Sequence, residues 1–262
     1  MNTGQTNKTI KLPSKKTRAE PVIEIDDLYK SFDNQEVLNG ISLKLYKGEN
    51  LAVLGKSGSG KSVLIKCIVG LLKSDAGTIQ VFNKTLNSLT RKELGEMRQK
   101  IGFLFQSGAL YDSMTVKENL EFPLKRIKRD MSREEIKDKI DEVLEQVGLA
   151  DTLDKMPSQL SGGMRKRISL ARTIIIDPLV MLYDEPTTGL DPVTSAEISA
   201  LINKVQKKYK TSSIIITHDI HCANTTADRM VMLDNGKIHM EGTVDDFRKS
   251  SDPLISSFYL KS

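Results

Sequence analysis

A chain of 262 residues with 39% hydrophobic and 28% charged residues has the composition of a globular protein, and no apolar run approaches the roughly 18–20 residues that span a bilayer. The net charge of +5 does not indicate a nucleic-acid-binding surface, because five basic residues against one acid place +4 of it in residues 1–20 and leave +1 elsewhere. We therefore expect no nucleic-acid partner.

Residues 1–20 are predicted to form a basic, disordered tail, either solvated without a partner or lying against anionic lipid headgroups. The N-terminus has no apolar stretch resembling a signal peptide, so the chain is expected to stay in the cytosol. Cys67 and Cys222 cannot form a disulfide framework and suit a reducing compartment.

After the tail, strands are predicted on either side of one glycine-rich loop. The runs VIEIDDLYKSF and ISLKLYKGENLAVLG show strand-like alternation broken by turn-prone stretches. The loop GKSGSGKS, residues 55–62, matches the pattern G-x-x-x-x-G-K-[ST], and the following SVLIKCIVGLLK has helical spacing. A strand, this loop and a helix in that order predict a phosphate-binding site rather than a coincidental glycine turn.

Each residue type in this loop suits the phosphates of a nucleotide. Glycines let the backbone wrap closely so that N–H groups point inward, and the following helix adds its positive N-terminal end. The lysine reaches the β- and γ-phosphates and also serves catalysis, while the last hydroxyl ligates Mg²⁺. The predicted phosphate-binding residues are Gly55, Lys56, Ser57, Gly58, Ser59, Gly60, Lys61 and Ser62, with Ser62 also a metal ligand.

The middle of the chain changes from strands to helices. GTIQVFNK and KIGFLFQ are predicted strands, and Gln106 at the end of the second is a candidate oxygen ligand for Mg²⁺. Helices are predicted over about residues 113–173. The run SREEIKDKIDEVLEQVG has one apolar face, formed by Ile136, Ile140, Val143, Leu144 and Val147. Ser132 and Glu135 have capping-box spacing at its start, and Gly148 marks its end.

Two buried-strand runs, LVMLYDE and SSIIITHD, follow the helical part and flank the helix PVTSAEISALINKVQKKY. Asp184 is placed to hold Mg²⁺ through water, and Glu185 to polarise an attacking water. His218, just past the second run, can hydrogen-bond the γ-phosphate and that water. A metal site at the histidines is the rival interpretation, but no ligand cluster accompanies them.

The end of the chain is predicted to form a hairpin and one short helix. MVMLDNGKIHMEG reads as the hairpin, with residues 234–236 supplying the positive backbone angles of its turn, and DDFRKSSDPLISSFYLKS as the helix. Strands alternating with helices imply a mostly parallel sheet covered on both faces. The predicted fold class is therefore α/β, a nucleotide-binding core interrupted by a helical lobe.

In chain order, the segments GKSGSGKS, Gln106, LSGGM, VMLYDEP, TGLD and THD resemble the nucleotide-binding subunit of ABC transporters, over roughly residues 22–242. The resemblance implies a P-loop NTPase (RecA-like) core with an antiparallel β subdomain and an inserted helical ABC lobe. It places an ATPase domain at residues 21–245 with the lobe at about 107–173, and a C-terminal extension at 246–262. ATP and Mg²⁺ are the implied cofactors.

The same resemblance implies further site residues. Phe32 looks like the aromatic that stacks on adenine, Gln106 like the lid residue that links Mg²⁺ to the helical lobe, and Asp191 like a residue that communicates across a dimer. The signature residues Ser161, Gly162 and Gly163 would start a helix and form an anion site facing the γ-phosphate bound by a second copy of the chain. A single copy should therefore be inactive. Residues 165–167 (Arg-Lys-Arg) are either part of this function or solvated helix charge.

A finer resemblance rests on Met164, which stands where the signature usually has glutamine, and on GALYDSMTV after Gln106. Together with GKSGSGKSVLIKCIVGLLK and YDEPTTGLDPVT, these runs look like the ATPase of Mla-type transporters, which handle phospholipids. The implied partners are a membrane permease pair docking near residues 106–115, an MCE-domain substrate-binding protein and a small STAS-type subunit. The implied location is peripheral, on the cytoplasmic face of the inner membrane.

Three rival functions compete with lipid transport. An ABC importer for another solute, such as an amino acid, is the main one. A soluble ABC ATPase acting on DNA or ribosomes would carry a long coiled coil or two fused cassettes, and this chain has neither. A P-loop kinase would leave the LSGGM and THD segments unexplained.

Overall fold

The computed structural model describes residues 20–33 and 35–260, so all of the tail predicted at residues 1–20 except its last residue lies outside the described residues. The described strands are β1 (Pro21–Phe32), β2 (Gln35–Tyr46), β3 (Asn50–Leu54), β4 (Ala76–Val81), β5 (Lys84–Thr85), β6 (Ile101–Leu104), β7 (Val180–Asp184), β8 (Ser212–Thr217), β9 (Arg229–Asp234) and β10 (Lys237–Gly242). The described α-helices are α1 (Lys61–Ile68), α2 (Arg91–Arg98), α3 (Val116–Ile127), α4 (Arg133–Gln146), α5 (Gly162–Ile174), α6 (Pro192–Tyr209), α7 (Ile220–Thr226), α8 (Val244–Arg248) and α9 (Pro253–Tyr259).

The larger sheet carries the nucleotide-binding core, with strand order β10-β9-β3-β8-β7-β6. Its neighbours from β9 to β6 pair in parallel, and only the β9–β10 hairpin at one edge is antiparallel. Every residue of β3, β7 and β8 is buried, as expected for parallel strands covered on both faces. The predicted α/β class is confirmed, and the carboxyl ends of β3, β8, β7 and β6 lie side by side at one edge.

A second, antiparallel sheet has strand order β2-β1-β4-β5. Along β2, buried positions alternate with exposed ones from Ile41 to Leu45, so one face packs inward. Its buried residues, including Leu38 and Ile41, share one core with α1 and with β3 of the larger sheet. The antiparallel sheet thereby packs, through β2, against the glycine-rich loop between β3 and α1.

The helical part is built from α3, α4 and α5 around a separate core. The apolar face predicted for α4 is buried there, and Ser132 with Glu135 forms the predicted capping box. Gly148 follows the helix with φ of +69°, as its predicted end requires. Helix α2 has no counterpart in the sequence analysis, although Thr90 and Glu93 form the same capping box and could have indicated it.

The hairpin turn is confirmed, with positive φ at Asn235 and Gly236, but Asp234 is the last residue of β9 and does not share the positive φ that was predicted for it. The single helix predicted after it is wrong, because the structure has two short helices, α8 and α9. Asp252 caps α9 by accepting from the N–H groups of Leu254 and Ile255, and Pro253 stands at its first turn. A proline cannot continue a preceding helix but suits the start of a new one, so the chain breaks there.

Within residues 20–33 and 35–260, none of the helices is both long and apolar enough to cross a bilayer.

Candidate functional site

The glycine-rich loop runs from the end of β3 to the start of α1 and turns sharply. Gly58 and Gly60 have φ of +81° and +101°, a region that L side chains rarely adopt. A Cβ on Gly60 would lie 2.6 Å from Val37 O, and one on Gly55 would lie 2.5 Å from Leu233 O. The loop can therefore keep this close curvature only with glycine at these positions.

Lys61, the first residue of α1, folds back over the loop. Its Nζ donates to Gly55 O at 2.8 Å and to Lys56 O at 3.0 Å, and it lies 3.6 Å from Glu185 Oε1. Burial lowers the pKa of Lys61, while the carboxylates of Glu185 and Asp184 oppose this shift. A buried ammonium held at the rim of a glycine loop is arranged to meet an anion.

The donors of this loop show whether it fits a phosphate. Lys61 brings a buried ammonium to the loop, and Ser62 brings a hydroxyl at the start of α1. A buried positive charge at a helix start is an arrangement that binds phosphate. The loop residues therefore fit a nucleotide.

Ser62 at the start of α1 and Asp184 at the end of β7 bring two oxygen atoms together. The Ser62 Oγ donates to Asp184 Oδ1 at 3.0 Å, joining the start of α1 to the end of β7. Burial raises the pKa of Asp184, and the hydrogen bond from Ser62 opposes this shift. Hydroxyl and carboxylate oxygens, like the side-chain amide oxygen of Gln106, are the ligand types that Mg²⁺ prefers, and Gln106 and Ser62 line one cavity. The donor set fits this ion.

Glu185 lies at the centre of the site. Its Oε2 is 2.8 Å from His218 Nδ1 and accepts from Thr188 Oγ1 at 3.1 Å, while Oε1 faces Lys61. The backbone of Glu185 has φ of +50°, uncommon for a residue other than glycine and found at functional sites. The structure thus brings Lys61, Glu185 and His218 together, from β3–α1, β7 and β8.

These residues surround an open cavity of about 800 Å³. The predicted residues that line it are Lys56, Ser57, Gly58, Gly60, Lys61, Ser62, Gln106, Glu185 and His218. Gly55, Ser59 and Asp184 do not line it, but Gly55 and Asp184 hydrogen-bond residues that do. The sequence analysis missed lining residues from β2, α7 and α9, namely Gln35, Val37, Ile220, His221, Ser257 and Phe258. No local motif marks them, because the fold alone brings them there.

Phe32 lies apart from this cavity. It stands at the end of β1 with 42% of its surface exposed, and Lys30 Nζ is 5.2 Å from its ring centroid. Phe32 itself does not line the cavity; the lining residues nearest to Phe32 in the described sequence are Gln35 and Val37 of β2.

The signature residues begin α5 and also lie outside this cavity. Ser161 is exposed and caps the helix, its Oγ accepting from Met164 N at 3.2 Å. Gly163 packs so closely on Thr194 that a Cβ would lie 2.6 Å from Thr194 Cγ2. Asp191 caps α6 and accepts from the Thr194 Oγ1 at 2.6 Å. The signature and Asp191 are therefore neighbours, but one chain does not bring them to its own glycine-rich loop.

The three basic residues after Met164 have three different environments. Arg165 is exposed, and Arg167 forms an ion pair with Glu197. Lys166 is only 6% exposed, and its Nζ donates to Gln106 O at 2.6 Å. The interpretation as solvated helix charge is therefore wrong for Lys166, because this residue lies on the face of α5 that packs on the core.

Comparisons with known proteins agree with this geometry. The family model described as ABC transporter matches residues 38–188. The chain is 38% identical to Protein TRIGALACTOSYLDIACYLGLYCEROL 3, chloroplastic, of Arabidopsis thaliana, covering 92% of this chain and 74% of that protein. It is 37% identical to the Methionine import ATP-binding protein MetN of Brucella abortus, covering 95% and 67%. A dimeric ATP-binding cassette solved in a post-hydrolysis state with ADP and Pi superposes with a TM-score of 0.78 at 31% identity, covering 85% of this chain and 98% of that one.

Proposed function

Because this chain belongs to the ABC transporter family, as an ATP-binding cassette that hydrolyses ATP with Mg²⁺, we propose that it powers the transport of phospholipid or a related lipid. The observation that carries the enzymatic part is the cluster of Lys61, Glu185 and His218 beside the glycine loop. Cassettes of this family dimerise and pair with membrane permease subunits.

We assign phosphate binding to the loop from Gly55 to Ser62. The loop leads into the start of α1, where the helix dipole attracts an anion, and the ammonium of Lys61 adds a full positive charge. Ser62, Asp184 and Gln106 would hold Mg²⁺, which when bound supplies positive charge that offsets the phosphates. Phe32 is proposed to stack on adenine, although it lies outside the cavity rim described above.

We assign the general base to Glu185. Lys61 contacts one of its carboxylate oxygens and His218 contacts the other, and these contacts orient the carboxylate toward the cavity. From there it can accept a proton from a water that attacks the γ-phosphate. His218 is proposed to orient this water and to hydrogen-bond the γ-phosphate.

We propose that two copies complete each site. Ser161, Gly162 and Gly163 start a helix of 13 residues, where free N–H groups and the helix dipole attract an anion. In one chain this helix start lies away from the phosphate loop, so it is available to the nucleotide of a second copy arranged head to tail. Asp191, which shares Thr194 with Gly163, is proposed to communicate between the copies.

The lipid assignment has two supports. The residues around Met164 and GALYDSMTV resemble Mla-type transporter ATPases, and the name of the Arabidopsis relative refers to a galactolipid. The name of the Brucella relative, at nearly the same identity, refers to methionine import, so an amino-acid importer is the second candidate. An MCE-domain protein and a STAS-type subunit are proposed partners only in the lipid case, at the cytoplasmic face of the inner membrane.

The permease is proposed to dock along residues 106–115. Tyr111 is 40% exposed there and packs edge-on against Phe122 of α3, with ring centroids 5.2 Å apart. Asn119 fixes this loop, donating to the carbonyls of Met114 and Thr115 at 3.0 Å each. An exposed aromatic on a fixed loop suits a lasting contact with a partner.

The test is purification of the tagged full-length chain from membranes, with mass spectrometry of bound proteins and extracted lipids. We expect a permease together with an MCE-domain protein and enriched phospholipid. A Tyr111→Ala variant should retain ATP binding but recover less permease, which separates specific capture from background. Recovery of an amino-acid permease without an MCE-domain protein would contradict the lipid assignment and leave the ATPase assignment intact.

A further inference from the structure

Lys166 stands on the signature helix, yet its side chain points into the protein. Its Nζ donates to the main-chain carbonyl of Gln106 at 2.6 Å and lies 3.5 Å from the carbonyl of Glu185. We propose that Lys166 is a positioning residue that fixes Gln106 and Glu185 relative to each other through their carbonyls. The inference rests on the proposed roles of these two residues in holding Mg²⁺ and activating water.

The two carbonyls follow neighbouring strands of the sheet. β6 and β7 pair in parallel up to Leu104 opposite Tyr183; β6 ends there, whereas β7 continues to Asp184, which pairs with Ile216 of β8. Within the described residues, the pairing of β6 with β7 therefore does not extend to Gln106 and Glu185. A single ammonium with three N–H donors can bridge both carbonyls and replace that missing connection.

The backbone of Glu185 needs such support. Its left-handed φ of +50° is strained for a residue with a side chain, and such strain persists only where surrounding contacts enforce it. The N–H of Glu185 donates to Ile216 O at 2.9 Å, which holds one side of the residue. On the other side, the Glu185 carbonyl accepts from the Thr188 N–H at 3.3 Å and lies 3.5 Å from Lys166 Nζ, so Lys166 adds to the contacts that hold this backbone.

The charges around the site also favour this role. Two buried ammonium groups, Lys61 and Lys166, both interact electrostatically with the carboxylates of Asp184 and Glu185. Burial lowers the pKa of Lys166, and the two carboxylates oppose that shift. Lys61 lines the cavity and is assigned to the phosphates, whereas Lys166 does not line it. Lys166 can therefore keep its electrostatic interaction with the two carboxylates while Lys61 binds the phosphates.

Lys166 is the first of three α5 residues that contact the lid segment, defined as residues 106–111. Ser169 and Arg172 follow it at spacings of three, on the same helix face. A Cβ on Gly108 would lie 2.5 Å from Ser169 Oγ, and Arg172 donates to Ala109 O at 2.8 Å. Because these contacts hold the rest of the segment, replacing Lys166 should release Gln106 and Glu185 without freeing the whole lid.

The experiment compares three variants of the full-length chain. Lys166→Met keeps the length of the side chain and removes its donors, Lys166→Gln keeps a shorter donor, and Arg165→Gln is the matched exposed control. Steady-state ATP hydrolysis is measured against both ATP and Mg²⁺ concentration, nucleotide affinity with a fluorescent ATP analogue, and folding by thermal unfolding. Gln106→Ala and Glu185→Gln are measured in parallel.

We expect Lys166→Met to lower kcat by roughly 10- to 100-fold, the usual effect of removing a group that orients a ligand or base. KM for ATP and the affinity for the analogue should change by less than about twofold, since Lys166 does not contact the phosphate loop. The Mg²⁺ concentration for half-maximal rate should rise, as in Gln106→Ala. Lys166→Gln should be intermediate and Arg165→Gln unchanged.

The inference is overturned if both Lys166 variants fold and keep wild-type kcat and Mg²⁺ dependence. It is equally overturned if kcat and nucleotide affinity fall together in step with the melting temperature, because that describes a purely structural lysine. If Lys166→Met does not fold, Lys166→Gln decides by the same criteria. Wild-type turnover by Glu185→Gln would instead refute the proposed base, so failure of the two proposals can be told apart.

Discussion

Replacing Gly60 with alanine should be much more damaging than the same change at Gly58, two residues away in the same loop. Both glycines have positive φ, +101° and +81°, so each substitution forces a side chain into an unfavourable backbone region at about 1–2 kcal/mol. At Gly58 nothing lies within 4 Å of the added Cβ. At Gly60 the Cβ would lie 2.6 Å from Val37 O and 2.9 Å from Leu38 Cδ2, so β2 or the loop must move.

Forcing an extra carbon into such a space costs a further 1–3 kcal/mol or so. We therefore expect Gly60→Ala to lower the free energy of unfolding by roughly 2–5 kcal/mol and Gly58→Ala to lower it by about 1–2 kcal/mol. Urea unfolding without nucleotide measures the difference. Gly95→Ala in α2, where nothing lies within 4 Å, is the control and should gain about 1 kcal/mol. Equal losses for Gly60→Ala and Gly58→Ala would refute the close approach of β2 to the loop.

Three further predictions concern other parts of the molecule. Gly163→Ala should lower ATP hydrolysis by displacing the start of α5, and adding Thr194→Ser should restore part of it, because serine lacks the methyl that lies 2.6 Å from the new Cβ but keeps the hydroxyl. Cys67 and Cys222 should not react with a thiol reagent at pH 8 until the protein is unfolded, because burial raises the pKa of each to about 11; rapid reaction of the native chain would contradict this. Burial raises the pKa of Asp177, but its bonds to two lysines outweigh this and lower it, so its stabilising effect is fully present above the unfolded pKa of about 3.9 and is lost as the pH falls through the lower folded pKa. Asp177→Asn should therefore lower the melting temperature at pH 7, and the difference from wild type should shrink steadily as the pH falls below about 4.

The sequence predicted the local parts of this molecule well, since each depends on residues close together in the chain. The spacing of Ser132 and Glu135 predicted a capping box, and Asn235-Gly236 predicted a turn, because both depend on backbone geometry over a few residues. The loop from Gly55 to Ser62 was recognisable for the same reason.

Features that depend on packing between distant segments could not be predicted this way. Arg165 and Lys166 look alike in the sequence, and only the packing of α5 on the lid decides that one is exposed and the other buried. Ser257 and Phe258 line the cavity because α9 folds back against the core, almost 200 residues after the phosphate loop. The order of strands in the sheet, which brings Asp184, Glu185 and His218 together, is likewise a property of the whole fold.

We propose that ATP is hydrolysed between two copies, with the phosphate loop of one and the signature of the other. The decisive measurement is the molar mass in solution of Glu185→Gln, alone and combined with Ser161→Arg, at saturating ATP and Mg²⁺. We expect Glu185→Gln to hydrolyse ATP at least 100-fold more slowly than wild type, as loss of a general base predicts, and to become a dimer only with ATP. The double variant should bind ATP and remain a monomer. A Glu185→Gln chain that stays monomeric when saturated with ATP, or that turns over at the wild-type rate, would contradict the account.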